Sequence, residues 1–117
     1  MDARPVLGRN GEDLAAEMYE SLGYRVLERN FRVDQGEVDI VVERDGVIVF
    51  CEVKTRRSDL WGSPAEAVAW QKQQRLRRLA ARWMRERKTG AVEIRFDVVS
   101  IVMRDDSTEL THLPNAF

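Results

Sequence analysis

Two apolar runs, Val38–Val42 and Val47–Val53, are separated by Glu43-Arg44-Asp45-Gly46. Asp-Gly tolerates the positive φ angles of a two-residue turn, so the spacing predicts a tight antiparallel hairpin over Glu37–Arg44 and Val47–Thr55. With that turn Arg44 faces Val47, Asp39 falls opposite Glu52, and Glu37 falls opposite Lys54. Side chains alternate along a strand. Glu37, Asp39, Glu52 and Lys54 therefore share one face with Val41, Ile48 and Phe50. The other face, with Val38, Ile40, Val42, Val47, Val49, Cys51 and Val53, is wholly apolar and is assigned to the core. A bulge at Gly46 would shift the pairing by one residue and turn the valines outward, so the apolar pattern favours the two-residue turn, or a compensating bulge elsewhere.

In this register Asp39 and Glu52 hold their Cβ atoms roughly 5 Å apart, and like charges in opposition destabilise a sheet. Two carboxylates beside Ile48 and Phe50 need a counter-charge. Lys54 supplies part of it. A hard divalent cation supplies it more fully, because Mg²⁺ takes one or two carboxylates together with water and phosphate oxygens. The plainer alternative is a solvated face on an edge hairpin. The apolar neighbours favour a ligand site.

Around the hairpin, the periodicity predicts a first helix from Arg9 to Leu22, with Leu14, Met18 and Leu22 as its stripe and Ala15 and Tyr19 widening it. Asn10 is placed to cap its start and Gly23 to end it. A strand follows over Tyr24–Arg32. A long helix is expected from Pro64 to Arg87, with Ser63 as N-cap, Glu66 three residues on, Val68, Leu76, Leu79 and Trp83 facing inward, and Gly90 closing it. A strand over Val92–Met103 and a last one over Glu109–Leu113 complete the order. The long helix is then a right-handed crossover between parallel strands. The fold class is α/β, an αβββαβ core in which helices flank a mixed central sheet.

With 117 residues and no linker-like tract, the chain suits a single domain. Its 44% hydrophobic and 33% charged residues read as a soluble globular protein. No apolar run approaches the roughly 18 residues of a membrane span. Met1–Pro5 carries no secretory core, and the single cysteine, Cys51, allows no intrachain disulfide, so a cytoplasmic setting without membrane partners is expected. The net charge of −1 excludes coating of nucleic acid by bulk charge alone. That average conceals an asymmetry. Gly11–Leu22 holds four acids and no Lys or Arg; Trp70–Lys88 holds eight Lys or Arg and one acid, Glu86. An anionic partner on one side of the molecule is implied.

Gly36-Glu37-Val38-Asp39-Ile40-Val41 and Phe50-Cys51-Glu52-Val53-Lys54-Thr55-Arg56 resemble the D-x(n)-E-x-K core of the PD-(D/E)xK nuclease superfamily. The wider set is similar to the YraN-like family, related to archaeal Holliday-junction resolvases. It comprises Gly11-Glu12 with Ala15-Ala16, Gly23-Tyr24, Arg29-Asn30-Phe31-Arg32, Lys72, Arg95-Phe96-Asp97-Val98-Val99 and Asn115-Ala116-Phe117. Val38 stands where the superfamily name has proline. The resemblance implies a restriction-endonuclease-like fold. It also implies that Asp39, Glu52 and the Val53 carbonyl hold Mg²⁺ or Mn²⁺, that Lys54 orients the attacking water or stabilises the pentavalent phosphate, and that Glu12 joins the same site. Phosphodiester hydrolysis needs an activated water and neutralised charge, which a metal and a lysine both supply.

Other residues read two ways. Glu12 favours a helix N-terminus on dipole grounds alone. Lys72 shares spacing with Leu76, Leu79 and Trp83, so it either snorkels at the core edge or contacts substrate phosphate. Arg56 and Arg57 adjoin Lys54 and, with Arg75, are expected to contact nucleic acid. Arg77, Arg78, Arg82 and Arg85 are a solvated helix face or further phosphate contacts. Trp61 either stacks on a base or anchors its loop. Asp97 and His112 are expected to be structural and Cys51 inert. Two functions are open: a metal-dependent DNA endonuclease, acting on branched or damaged DNA as a homodimer, and a binding module with weak or silent catalysis.

Overall fold

The computed structural model describes residues 10–34, 36–57, 69–88, 90 and 93–117. Helix α1 spans Gly11–Ser21 and opens with a reciprocal cap. The Asn10 side chain accepts from the Asp13 N–H, and the Asp13 carboxylate accepts from the Asn10 N–H. The face it buries differs from the expected one: Gly11, Ala15, Ala16 and Tyr19 are inside, Leu14 and Met18 are only partly covered, and Leu22 is 45% exposed. Close approach decides this. A Cβ on Gly11 would stand 2.0 Å from the Thr55 hydroxyl, so the helix lies on the sheet by its smallest residues.

Strands β1 (Arg25–Val33), β2 (Gly36–Arg44) and β3 (Val47–Arg56) form an antiparallel meander. Asp45 and Gly46 have φ of 53° and 82°, the positive pair that a two-residue hairpin turn needs. Arg44 pairs with Val47 and Ile40 with Cys51, in the register the apolar pattern selects. Strand β4 (Glu93–Met103) runs parallel to β3, and β5 (Thr108–Leu113) is antiparallel to β4, giving the order β1-β2-β3-β4-β5.

Helix α2 (Trp70–Arg87) is the connection between the parallel strands β3 and β4. It begins later than expected. Ala69 has extended backbone and precedes the first helical residue, so the helix does not run continuously from Pro64. Ser63, Pro64, Glu66, Val68 and Trp61 lie outside the described residues. Lys88, in the left-handed conformation at φ 50°, ends the helix before Gly90 is reached.

Each sheet face has its own core. Leu76, Leu79 and Trp83 of α2 pack on Phe31, Val41, Ile48, Phe50 and Phe96. Ala15, Ala16 and Tyr19 of α1 pack on Ile40, Val42, Val49, Cys51, Val99 and Ile101. Val38 departs from the expected face. Past Ile40 the ladder to β3 ends while pairing to β1 continues, and Val38 goes with its partner Phe31 into the α2-side cluster. The result is an α/β fold with a mixed five-stranded sheet and two helices, consistent with a restriction-endonuclease-like core. Among the described residues no helix is long and apolar enough to cross a membrane.

Candidate metal and phosphate site

The two central strands of the hairpin stop pairing where the acids begin. The last β2–β3 pair is Ile40 with Cys51, so Asp39 and Glu52 are not ladder partners as the extrapolated register expects, and neither are Glu37 and Lys54. The Asp39 carboxylate takes the place of a backbone acceptor and receives the Val53 N–H at 2.8 Å. This satisfies a donor that the parting strands would otherwise leave bare. Asp39 and Glu52 nevertheless border a common pocket. Both are buried, at 9% and 5% exposure, and both line one pocket of about 210 Å³ with Glu37, Lys72, Arg75 and Leu76.

Glu52 sits between two cations. The Lys72 ammonium, reaching from the first turn of α2, forms an ion pair with Glu52 Oε1. Lys54 Nζ lies 3.8 Å from the same oxygen. Lys72 is thus neither merely snorkelling nor free for phosphate, because its partner in this state is the candidate ligand. Burial disfavours its charged form, but the hydrogen bond and charge of Glu52 outweigh that and raise its pKa. For Lys54 the balance goes the other way: burial, then the neighbouring Lys72, lowers the pKa.

The Asp39 carboxyl is perturbed by its surroundings. Burial pushes its pKa up to about 7. The Val53 N–H opposes the rise, while the charges of Glu52, Glu12 and Glu37 add to it. A carboxyl whose charge is disfavoured by burial and by neighbouring acids is what a bound cation would relieve.

Glu12, on the first turn of α1, does not line the pocket, although its charge is felt at Asp39. It stands 3.8 Å from Arg29, whose closer partner is Asp13 at 2.7 Å. Arg56 is half-buried and ends β3, and Arg57 beyond it is exposed; neither lines the pocket. Glu37, paired with Arg32, was placed on the right face by alternation, and its lining role follows from the strands parting. The direct Lys72–Glu52 pair is not legible locally; its only trace is the inner-face spacing of Lys72 with Leu76 and Leu79.

Asp97 anchors a separate, structural network. Fully buried, it accepts from the Tyr19 hydroxyl at 2.7 Å, from Arg95, and from the Asn115 N–H at 2.9 Å, with His112 Nε2 at 2.8 Å. Burial raises its pKa, but these partners outweigh it and hold the carboxyl well below the usual range. His112 is satisfied there, and burial pushes the Cys51 thiol up, so neither is free to act as a ligand.

Among the described residues no group of three or more His, Cys, Asp or Glu is arranged to hold a metal. The donor set fits a hard cation even so. Mg²⁺ accepts one or two carboxylates and completes its shell with water and substrate phosphate, and the pocket offers two buried carboxylates of which one is disfavoured as a bare anion.

The stretch of chain that carries these residues is similar to known proteins. The uncharacterised protein family UPF0102 matches residues 11–101. The chain belongs to that family. The stretch takes in Glu12, Asp39, Glu52, Lys54 and Lys72, and it agrees with the YraN-like resemblance of the motifs. A UPF0102 protein of Syntrophomonas wolfei is 47% identical over 111 residues, covering 95% of this chain and 96% of the relative. One of Frankia casuarinae is 44% identical over the full length of both chains. One of Dictyoglomus turgidum is 40% identical over 113 residues. These UPF0102 relatives match in length as well as sequence, so the pocket and its two helices lie inside the shared unit.

Proposed function

We propose that this UPF0102 protein is a metal-dependent endonuclease that hydrolyses DNA phosphodiester bonds, with branched or damaged DNA as its substrate. The observation that carries the reading is one pocket holding two buried carboxylates, Asp39 and Glu52, with Lys72 paired to Glu52 and Lys54 beside it. Asp39, Glu52 and the Val53 carbonyl would hold Mg²⁺ or Mn²⁺, which when bound neutralises phosphate charge and makes water more acidic. Asp39 is fixed for this by its bond to Val53. Lys54, with its pKa lowered, holds the attacking water or meets the charge that develops on the phosphate. Lys72 offers a phosphate-binding cation once Glu52 turns to the ion. Glu12 acts at a distance through its charge on Asp39. Symmetric cutting of a four-way junction would require two such sites, hence a homodimer on that substrate.

A second reading rests on the same ion pairs. Glu52 already has two lysines for company, so the pocket can be electrically settled with no metal, as in a binding module that has lost turnover. A cleavage panel separates the two: single-stranded, duplex, flap and four-way DNA, each with Mg²⁺, Mn²⁺ or EDTA. Divalent-dependent cleavage of any member supports the nuclease. Binding to one of them without cleavage in either metal supports the module.

A further inference from the structure

Helix α2 carries six arginines and Lys72 against one acid, Glu86. The arginines do not form one undivided solvated face. Arg77 lies over the Phe96 and Phe117 rings, 5.1 and 5.5 Å from their centroids, and Arg87 is paired with Glu28 on β1. The remaining four, Arg75, Arg78, Arg82 and Arg85, are spaced 3, 4 and 3 residues apart. At 3.6 residues per turn that spacing puts them on a single stripe along one flank of the helix.

The stripe begins at the site. Arg75 lines the pocket that holds Asp39 and Glu52. Farther along, Arg78, Arg82 and Arg85 line an open groove of about 350 Å³ with Leu79 and Ala81. Glu86 holds Arg82 at 2.8 Å; among the described residues no acid is paired with Arg75, Arg78 or Arg85.

Helix stability does not account for this arrangement. Like charges at i, i+3 and i, i+4 repel, and cations early in a helix oppose its dipole. Arg75 and Arg78 repel as an i, i+3 pair, and of the four only Arg85, in the last turn, gains from the dipole. Arginine is used throughout the stripe, and its planar fork matches phosphate geometry where lysine offers a point charge. From Arg75 to Arg85 the stripe is about 15 Å long, the rise of about four phosphates along one strand of B-form DNA. An acidic protein partner would not need a cation row that runs into the pocket.

We propose that Arg75, Arg78, Arg82 and Arg85 form a track for one DNA backbone, leading away from the pocket along α2. This rests on the nuclease reading for its choice of DNA, but it predicts binding rather than chemistry. The track grips phosphates, so it adds affinity without sequence preference.

The test is fluorescence anisotropy of labelled duplex and four-way DNA against the full chain, over a series of salt concentrations, in EDTA and again in Ca²⁺. Arg78→Ala with Arg85→Ala is compared with wild type and with Arg25→Ala, an exposed arginine of β1 paired with Glu43. Alanine keeps the helix, and circular dichroism checks it. The double variant should flatten the slope of log affinity against log salt by about 2, since each phosphate contact contributes about 0.9. Arg25→Ala should keep the wild-type slope. An unchanged slope in the folded double variant, or wild type that binds neither DNA in either buffer, overturns the track. Full slope in the double variant with cleavage by wild type removes the track and leaves the nuclease. A flattened slope with a wild type that cleaves nothing keeps the track and removes the nuclease.

Discussion

Replacing Asp39 by asparagine should stabilise the metal-free protein above neutral pH, which is unusual for a buried, hydrogen-bonded side chain. Asparagine keeps an oxygen to accept the Val53 N–H and removes a charge that burial and three neighbouring acids oppose. The sign follows from proton linkage. The folded-state pKa of Asp39 is raised to about 7 from an ordinary 3.8, so the folded protein binds more protons than the unfolded chain between those values. Wild-type stability from this group is therefore full below about pH 4 and is lost as pH rises through 7. The shift corresponds to at most about 4 kcal/mol, an upper bound because water and the two lysines can relax toward the ionised group. If a third of that survives, Asp39→Asn gains on the order of 1 kcal/mol at about pH 8, a rise of roughly 3–6 °C in Tm for a chain of this size. The assay is thermal unfolding of both proteins in EDTA from about pH 5 to pH 8, repeated with Mg²⁺. The advantage of asparagine should grow with pH and level off. Mg²⁺ should raise the Tm of wild type and not of the variant, because a ligand that binds only the native state stabilises it by mass action. A pH-independent difference would refute the charge argument, and equal Mg²⁺ stabilisation would show that Asp39 is not a ligand.

If Lys54 acts on water and phosphate as proposed, Lys54→Ala should retain the Mg²⁺-induced Tm shift while single-turnover cleavage falls on the order of 100-fold; loss of the shift would assign Lys54 to metal retention. Lys72→Ala leaves Glu52 buried with only the more distant Lys54, and should lower metal-free stability by about 1–2 kcal/mol in denaturant melts. Mg²⁺ should restore part of that loss, and a variant as stable as wild type would mean the pair contributes nothing. Gly11→Ala places a Cβ against the Thr55 hydroxyl and should lower Tm by an amount equivalent to about 1–3 kcal/mol; Thr55→Ala in the same chain should recover part of it, and independent, additive effects would contradict the close approach.

The hairpin was legible because its information is local: Asp45-Gly46 fixes the turn, and a strict period of two fixes the face. The same rule explains where extrapolation failed. Alternation assumes that pairing continues, and it stops after Ile40 and Cys51, where a side chain replaces a backbone acceptor. Asp39 therefore reaches the pocket by a different route from the one its register implies, and Val38 changes cores. In helix α1 the periodicity finds Ala15 and Tyr19 but not Gly11 and Ala16, and it over-weights Leu14, Met18 and Leu22, because hydrophobic size leaves a trace in the spacing and steric closeness does not. The Lys72–Glu52 pair joins α2 to β3 through tertiary packing and leaves only a spacing behind. The Asp97 network, by contrast, was half visible, since an acid in an apolar strand must find partners; which partners depends on β5 and the chain end folding back beside β4.

If the pocket around Asp39 and Glu52 cuts DNA as proposed, cleavage depends on the Glu52 carboxylate. The most direct measurement is single-turnover cleavage of a labelled substrate by wild type and Glu52→Gln, purified side by side and assayed in Mg²⁺. Glutamine keeps the size of the side chain and removes the charge that faces Lys72 and would face a bound ion. Wild type should cleave in Mg²⁺ and stop in EDTA, while a folded Glu52→Gln loses on the order of 1,000-fold or more of that rate. Equal rates for the two proteins, or a wild type inert on every DNA structure tried, would rule out a nuclease site at this pocket.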